Sequence, residues 1–269
     1  MFCIGALPFI FCAHTYAREA KGESQEPRAE SREAKRESKW LDDYKKPVGF
    51  TYGVDVRVQA NYLWRGLYAG GFNLQADANV GYGGLYLDMW WNIGATDWTF
   101  STFQPELDLS LGFSRWGLNI YALYIHNFNS GFFDFHNYPD KGNRVELNLQ
   151  YTVSSKLPLS FRWGTRVAAS DCYLNAAGDT IRAYSSYAEI SYTHHFRDGW
   201  SAVGAFGMTP WKGGYNPNGA ALQNIEFRLR KDWTVSKRCG MMVQGQIAVS
   251  PMALKNVINV NAAVGVYLK

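Results

Sequence analysis

Hydrophobic and polar residues alternate along most of the chain from residue 51 onward. In the stretch YGVDVRVQANYLWRG, residues 52–66, one parity carries the apolar residues Val54, Val56, Val58, Ala60, Tyr62 and Trp64. The other parity carries the polar residues Asp55, Arg57, Gln59, Asn61 and Arg65, with Leu63 as the exception. Successive side chains of a β-strand point to opposite faces. The stretch therefore predicts a strand with one apolar face and one polar face.

Eleven further segments show the same alternation, some of them less strictly, so we predict about twelve strands. They are residues 72–80, 85–93, 106–113, 116–125, 144–153, 159–169, 183–193, 200–208, 224–233, 241–249 and 257–268. Each is close to the roughly 9–11 residues that a tilted strand needs to cross a membrane. The connections between them fall into five short turns and six mostly longer loops. Short turns on one rim and longer loops on the other are typical of an outer-membrane barrel.

Alternation alone does not say which face points inward, but three features favour a polar interior. Twelve strands enclose more space than side chains readily fill, since about eight is the number at which they do. The polar face carries Asn, Gln and charges of both signs, which suits a wet lumen. Tryptophans near strand ends match the two water–lipid interfaces: Trp116, Trp200 and Trp233 beside short turns, and Trp64, Trp98 and Trp211 near longer loops. We therefore predict an all-β fold, a transmembrane antiparallel up-and-down β-barrel whose last strand pairs with its first.

The N-terminal region does not show this alternation, so we divide the chain into three predicted segments. Residues 1–17 begin with the apolar run MFCIGALPFIFCA and read as a secretory signal peptide. Residues 18–47 are dense in charges of both signs and predict a flexible linker. The alternative for this segment is a short helix that enters the pore or contacts a periplasmic partner. Residues 48–269 form the predicted outer-membrane barrel.

Composition and charge narrow the range of partners. The chain has 269 residues, 16% of them aromatic, and 26 glycines, which suits an all-β protein with many turns. Its formal net charge is +4, and the basic residues are spread along the chain without a Lys/Arg stripe. The sequence thus predicts no nucleic-acid partner, and no cofactor is expected.

The opening stretch also resembles a known family. NYLWRG, residues 61–66, resembles the early signature of the TorF-type porins, a family of bacterial outer-membrane proteins. GLYLDMWWNIG, PELDLSLGF and GLNIYALYI resemble the hairpins that follow it in that family. The similarity covers about residues 50–269 and is clearest from 54 to 127. The resemblance implies an outer-membrane barrel of porin type, without a defined substrate or catalytic residue.

Twelve charged residues fall on the predicted lumen face. They are the candidate pore-lining residues Asp55, Arg57, Asp77, Asp88, Glu106, Asp108, Arg162, Arg166, Glu189, Glu226, Arg228 and Arg230. They could line a passage whose opposed charges set ion or solute selectivity. Alternatively, they form a salt-bridge network that stiffens or plugs the barrel.

One long loop and the histidines offer further candidates. The loop FNSGFFDFHNYPDKGN, residues 128–143, is rich in aromatic residues. It could fold inward as a constriction, grip a ligand by stacking, or lie outside and pack on its own rings. His126 is the candidate of choice for an enzymatic alternative, because a histidine can activate a serine or a water. His194 and His195 sit beside a short turn, and no complete hydrolase motif accompanies any of them.

Cys172 lies in a predicted long loop and Cys239 in a predicted short turn, so they belong to opposite rims. An apolar band about 25 Å tall separates the two rims of such a barrel. A disulfide needs Cα atoms roughly 4.4–6.8 Å apart. We therefore predict that these cysteines do not bond to each other.

Together these observations predict a porin-like channel of the bacterial outer membrane, for passive diffusion of ions or small polar solutes. The expected partners are outer-membrane lipid and those solutes, and the chain is not expected to be an enzyme. The alternatives are an outer-membrane lipid-modifying hydrolase and a non-conducting structural or adhesive barrel.

Overall fold

The computed structural model describes residues 49–95, 102–136, 142–175, 177–253 and 257–268. Within these ranges, twelve antiparallel strands form a closed barrel. The strands are β1 Phe50–Gln59, β2 Asn73–Tyr82, β3 Leu85–Ala95, β4 Phe103–Arg115, β5 Leu118–His126, β6 Arg144–Thr152, β7 Leu159–Ala169, β8 Ser186–His195, β9 Trp200–Thr209, β10 Ala221–Thr234, β11 Cys239–Val249 and β12 Ile258–Leu268. Two short hairpins form separate two-stranded sheets that do not belong to the barrel sheet. They are Tyr62–Trp64 with Leu67–Gly70, and Cys172–Leu174 with Thr180–Arg182.

Each barrel strand pairs with the strand before it and the strand after it, and β12 closes the cylinder on β1. The closing register runs from Val54 opposite Leu268 to Gln59 opposite Ala263. Every strand is therefore hydrogen-bonded on both edges, as a sheet surrounded by lipid requires. The predicted all-β, up-and-down barrel of about twelve strands is confirmed.

The two faces of the wall differ as the alternation predicts. On β1, Val54 and Val56 are 40% and 38% exposed, whereas Asp55 and Arg57 between them are 7% and 2% exposed. The same contrast recurs around the barrel, where most large exposed side chains are apolar and many of the buried ones are polar or charged. A soluble protein buries its apolar side chains, so this inverted distribution belongs to a barrel that spans a membrane.

The interior is not uniformly polar, however. On β5, Tyr121, Leu123 and Ile125 point inward and pack together, with Tyr86 against them. The sequence of residues 116–125 is apolar on both faces. One of these faces lies on the outer wall, and the other forms this apolar cluster inside the barrel.

The opening stretch departs from its predicted structure. The strand ends at Gln59, and Tyr62–Trp64 pairs with Leu67–Gly70 in a separate hairpin. Tyr62 and Trp64 are 6% and 1% exposed, so they do not continue the lipid-facing stripe of β1. The prediction that Trp64 belongs to an aromatic belt is wrong. Because the chain leaves the sheet after Gln59, the strand parity no longer applies to these residues.

The other tryptophans of the predicted belts lie as expected where they are described. Trp116, Trp200 and Trp233 are exposed at the short-turn rim, and Trp211 is exposed beyond β9. Trp98 lies outside the described residues, as do the predicted signal peptide 1–17 and the linker 18–47, which stay predictions. In the part of the chain that the structure describes, no helix has the length and apolar character needed to cross a membrane.

Candidate functional site in the barrel interior

The twelve candidate pore-lining residues all occupy inward-facing positions of the barrel strands. Eight of them are buried, and the four others are half-buried: Arg162, Glu189, Arg228 and Arg230. The half-buried residues belong to β7, β8 and β10. The interior is therefore packed around most of these charges and more open along one part of the wall.

Several of these charges pair with a neighbour two residues away on the same strand. Nη2 of Arg57 lies 2.6 Å from Oδ1 of Asp55, and Arg228 forms a salt bridge with Glu226. Nη2 of Arg230 lies 2.6 Å from Oδ1 of Asp232. Residues two apart on a strand share a face, so such pairs form without reaching across the lumen. The salt-bridge alternative thus describes part of the interior correctly.

A second part of the wall is acidic. Strands β2 to β4 carry the inward-facing carboxylates Asp77, Asp88, Glu106 and Asp108. The register places Asp77 and Asp108 on either side of Trp90. Of these three strands, only β4 contains a basic residue, Arg115, which lies at its short-turn end. Carboxyl groups from three adjacent strands therefore line this side of the lumen.

The hairpin Tyr62–Gly70, hereafter the inward hairpin, folds into the barrel instead of extending outside it. At its tip, Arg65 and Gly66 both have positive φ, 49° and 79°. Two successive positive φ values are those of a type I′ turn, the tight turn that suits a two-residue hairpin loop. A Cβ on Gly66 would lie 2.6 Å from Oδ1 of Asn224 on the wall, so only glycine fits there.

Wall side chains hold the backbone of this tip. Nε2 of Gln223 donates to the Arg65 carbonyl at 3.3 Å, and Nδ2 of Asn259 donates to the Gly66 carbonyl at 3.2 Å. These donors come from β12, which pairs with the strand β1 that leads into the hairpin, and from β10, two strands beyond β12. The tip is thus fixed to the barrel by contacts distant in sequence.

Arg65 lies at the centre of a cage that we call the Arg65 cage, formed by Trp64, Glu146, Tyr187 and Tyr215. Its guanidinium forms a salt bridge with Glu146, and both side chains have no exposed surface. The guanidinium carbon lies 4.5 Å from the ring centroids of Trp64 and Tyr187. It lies 5.1 Å from that of Tyr215, whose hydroxyl oxygen accepts a hydrogen bond from Nη1 at 2.5 Å. A buried guanidinium is thus paired, hydrogen-bonded and surrounded by rings.

Tyr215 enters the cage from the loop between β9 and β10. Its hydroxyl donates to Oε2 of Glu146 at 2.5 Å, and the guanidinium carbon of Arg166 lies 4.2 Å from its ring centroid. Burial raises the pKa of Tyr215 to about 12, so the hydroxyl keeps its proton at neutral pH. For Arg65, burial disfavours the charge, yet the Glu146 carboxylate raises its pKa above the ordinary value. Both groups therefore hold the protonation states that their hydrogen bonds require.

Glycine makes room for this cage on the wall. A Cβ on Gly164 would lie 2.6 Å from Oε1 of Glu146, and one on Gly207 would lie 1.9 Å from Oη of Tyr187. Both glycines face directly inward beside the side chain they accommodate. The alternation of β9 is therefore weak at Gly207 for a packing reason. The Tyr187 side chain, which extends from β8, fills the space on the inward face of β9 at this position.

The described residues of the aromatic loop after β5, 128–136 and 142–143, lie neither in the lumen nor far from the barrel. His126 and Tyr124 have the outward parity of β5, and the loop covers them with Phe132, whose ring centroid is 4.7 Å from that of His126. Phe132 and Phe133 also contact each other at 4.5 Å. For this described part of the loop, the inward-constriction alternative is wrong. The rings pack on one another and on the outer wall.

This packing also bears on the hydrolase alternative. Nδ1 of His126 lies 2.6 Å from Oδ1 of Asn143, and aromatic rings surround the imidazole. An amide partner does not activate a histidine as a base in the way a carboxylate does. Among the described residues, no group of three or more His, Cys, Asp and Glu side chains is arranged to hold a metal ion.

The cysteines agree with the predicted topology. Cys172 begins the short hairpin after β7, at the long-loop rim, and Cys239 begins β11 at the short-turn rim. The two are not joined to each other, as predicted.

Several residues of the site escaped prediction. Glu146 lies on the polar parity of the strictly alternating segment 144–153, so the pattern alone could have placed it inside. The Arg-Gly pair at 65–66 was a turn signal inside what looked like a continuous strand. Tyr187 shares the strand parity of Glu189, so the pattern could also have placed it inside. Tyr215 lies in a loop, where strand parity gives no signal.

No protein-family model matches the chain, and no curated protein matches it. The chain is similar to an outer-membrane channel from Pseudomonas putida F1, at 14% identity and a TM-score of 0.46, over 84% of this chain and 97% of that one. It is similar to the NanC porin at 12% identity and a TM-score of 0.49, over 80% and 99% of the two chains. A loop L8 deletion mutant of OmpT, an outer-membrane protein of Vibrio cholerae, matches at 9% identity and a TM-score of 0.32, over 81% and 98%.

Likenesses of this size do not assign a function, which has to follow from the geometry of this chain. The resemblance to the TorF-type porins stays a prediction.

Proposed function

We propose that the chain is a channel of the bacterial outer membrane that lets ions or small polar solutes diffuse passively, narrowed by the inward hairpin. One observation carries this proposal. A closed cylinder has an apolar outer wall and a polar, charged inner wall, and a loop from the long-loop rim folds into it. Such a wall separates lipid from a hydrated interior, and the hairpin decides how much of that interior remains open.

Exposure within the lumen supports a constriction near the long-loop rim. Arg65 and Glu146 have no exposed side-chain surface, whereas the Arg230–Asp232 pair is 12% and 29% exposed. Arg230 and Asp232 belong to the half of β10 that leads to the short-turn rim. We infer a vestibule that is open at the short-turn rim and narrows at the Arg65 cage. The candidate pore-lining residues of β7, β8 and β10 would line this vestibule and set its selectivity.

Single-channel conductance in a planar bilayer tests the proposal. The refolded chain is compared with a variant in which residues 60–71 are replaced by a short Gly-containing turn. We expect small unitary currents from the natural chain and several-fold larger ones from the variant, because the hairpin no longer fills the lumen.

A matched control shortens the tip of the other small hairpin, between Cys172–Leu174 and Thr180–Arg182, where Leu174 and Ile181 are exposed. Its conductance should equal that of the natural chain. If neither the natural chain nor the variant lacking the hairpin conducts, the barrel is a non-conducting structural element and the proposal fails.

A further inference from the structure

A lysine side chain lies on the lipid-facing side of the barrel wall. Lys231 has the outward parity of β10, between Leu229 and Trp233, and the register places it opposite Trp200 on β9 and Val243 on β11. It is half-buried and lies near the end of β10 at the short-turn rim. A lysine that faces lipid is costly at the midplane, and the cost falls towards the interface. The ammonium therefore belongs at the level of the lipid headgroups.

Neighbouring groups hold the ammonium at this level. Nζ of Lys231 lies 5.5 Å from the ring centroid of Trp200 and 5.7 Å from that of Trp233. It donates a hydrogen bond to the backbone carbonyl of Asp198, in the turn between β8 and β9. Tryptophan rings are enriched at the headgroup level of membrane interfaces. An ammonium has three donors, so this one can still donate to a partner outside the chain.

The counter-charge of Lys231 does not come from the described part of the chain. Among the described residues, no carboxylate forms a salt bridge with Lys231. The adjacent carboxylate, that of Asp232, points to the other face and pairs with Arg230. The positive charge on the outer face is therefore available to an anion at the membrane surface.

The outer side of the short-turn rim is basic as a whole. Its turns, and the outward strand ends beside them, carry the basic residues Arg115, Lys156, Arg197, Lys231, Lys237 and Arg238. Among the described residues in these positions, Asp198 is the one acidic residue. Arg115 repeats the arrangement of Lys231, since its guanidinium carbon lies 4.3 Å from the ring centroid of Trp116. The described loops of the other rim carry charges of both signs.

Two of these basic turns flank Lys231. The turn between β8 and β9 contains Arg197, and the turn between β10 and β11 contains Lys237 and Arg238, all three exposed. Only the paired strands β9 and β10 lie between the two turns, so the turns are neighbours along the rim. Positive charge is thus concentrated beside an apolar, tryptophan-bearing part of the outer wall.

We propose that this part of the rim binds an anionic phospholipid, such as phosphatidylglycerol, with its phosphate against Lys231 and its acyl chains on the outer wall. Ammonium and guanidinium groups donate strong hydrogen bonds to phosphate oxygens, and Arg197 supplies the second cation. Clusters of basic residues beside a membrane-spanning segment attract anionic lipids. Phosphatidylcholine carries the same phosphate but neutralises it with its own ammonium, so the site should prefer the lipid with net negative charge.

Native mass spectrometry of the refolded chain tests this proposal. The chain is held in detergent with equal amounts of phosphatidylglycerol and phosphatidylcholine, and the ratio of the two lipid-bound forms is measured. We expect the natural chain to retain phosphatidylglycerol several-fold more than phosphatidylcholine. Lys231→Gln should lower this ratio by about fivefold, the effect of one basic residue at a membrane surface. Lys231→Arg should preserve the ratio, and Arg197→Gln, on an exposed turn, should lower it as well.

Lys212→Gln is the matched control. Lys212 is also exposed and its Nζ lies 4.6 Å from the ring centroid of Tyr173, but it belongs to the loop after β9 at the long-loop rim. This variant should retain the two lipids as the natural chain does. Equal retention of both lipids by the natural chain would overturn the proposal. So would an equal loss of preference in Lys231→Gln and Lys212→Gln, because the effect would then reflect net charge alone. Neither result would affect the conductance test, which depends on the lumen.

Discussion

Arg65 shows how much of the lumen depends on one buried charge. Its guanidinium forms a salt bridge with Glu146, donates a hydrogen bond to Tyr215 and is surrounded by aromatic rings. The side chains of Arg65 and Glu146 have no exposed surface. A buried pair of this kind adds little stability relative to an apolar equivalent, but removing one partner is costly because the other charge stays buried. The cage therefore specifies where the hairpin sits more than how stable the barrel is.

Tyr215→Phe isolates the hydroxyl that connects Arg65 and Glu146. The ring and its contact with Arg166 remain, while a hydrogen bond to each charged group is lost. Hydrogen bonds to charged groups contribute about 1.5–3 kcal/mol, so we expect the free energy of unfolding in urea to fall by about that much. Tyr192→Phe, on an exposed outward tyrosine, is the control and should change nothing measurable. Equal effects of the two substitutions would contradict the cage.

At the scale of elements, strand alternation predicted the barrel wall because it has a direct physical cause. One face of each strand meets lipid and the other meets the interior, so a period of two is imposed on nearly every strand. The inward hairpin was not predictable in this way. After Gln59 the chain leaves the sheet, and Tyr62 and Trp64 are held by contacts with residues about 30 to 150 positions away. A local pattern contains no information about such partners.

Two adjacent positions on β2 test the assignment of faces at one depth. Ala78 has the outward parity and lies opposite Val54 and Met89, whereas Asn79 points inward beside Asp77. Ala78→Lys should lower the free energy of unfolding by about 2–4 kcal/mol, the cost of a lysine facing lipid near the midplane. Asn79→Lys should cost much less, because the position faces the interior beside Asp77 and Asp88. Urea unfolding in vesicles measures both, and the reverse order would mean that the faces are exchanged.

For the whole molecule, the half-buried charges of the vestibule should govern ion selectivity. Arg162 points inward on β7, and Nη2 donates to the Tyr121 hydroxyl at 2.8 Å. Removing this positive charge with Arg162→Ala should raise the cation-to-anion permeability ratio by roughly twofold to threefold, because a charge in a narrow lumen sets a local potential of thermal size or more. The reversal potential in a KCl gradient measures the ratio.

Phe161→Ala, which changes the neighbouring lipid-facing residue, should leave that ratio unaltered. An unchanged reversal potential in Arg162→Ala would remove Arg162 from the conducting path.

The most direct measurement of the central claim, lipid outside and a polar interior within, uses two neighbouring tryptophans. Trp91 is 41% exposed on the outer wall, and Trp90 is 1% exposed inside it. The refolded chain is placed in vesicles of brominated lipid, whose bromine atoms quench tryptophans in contact with acyl chains. Trp91→Phe should reduce the lipid-quenched part of the emission, and Trp90→Phe should leave it unchanged. If Trp90→Phe reduces it and Trp91→Phe does not, the wall faces the other way and the channel proposal fails with it.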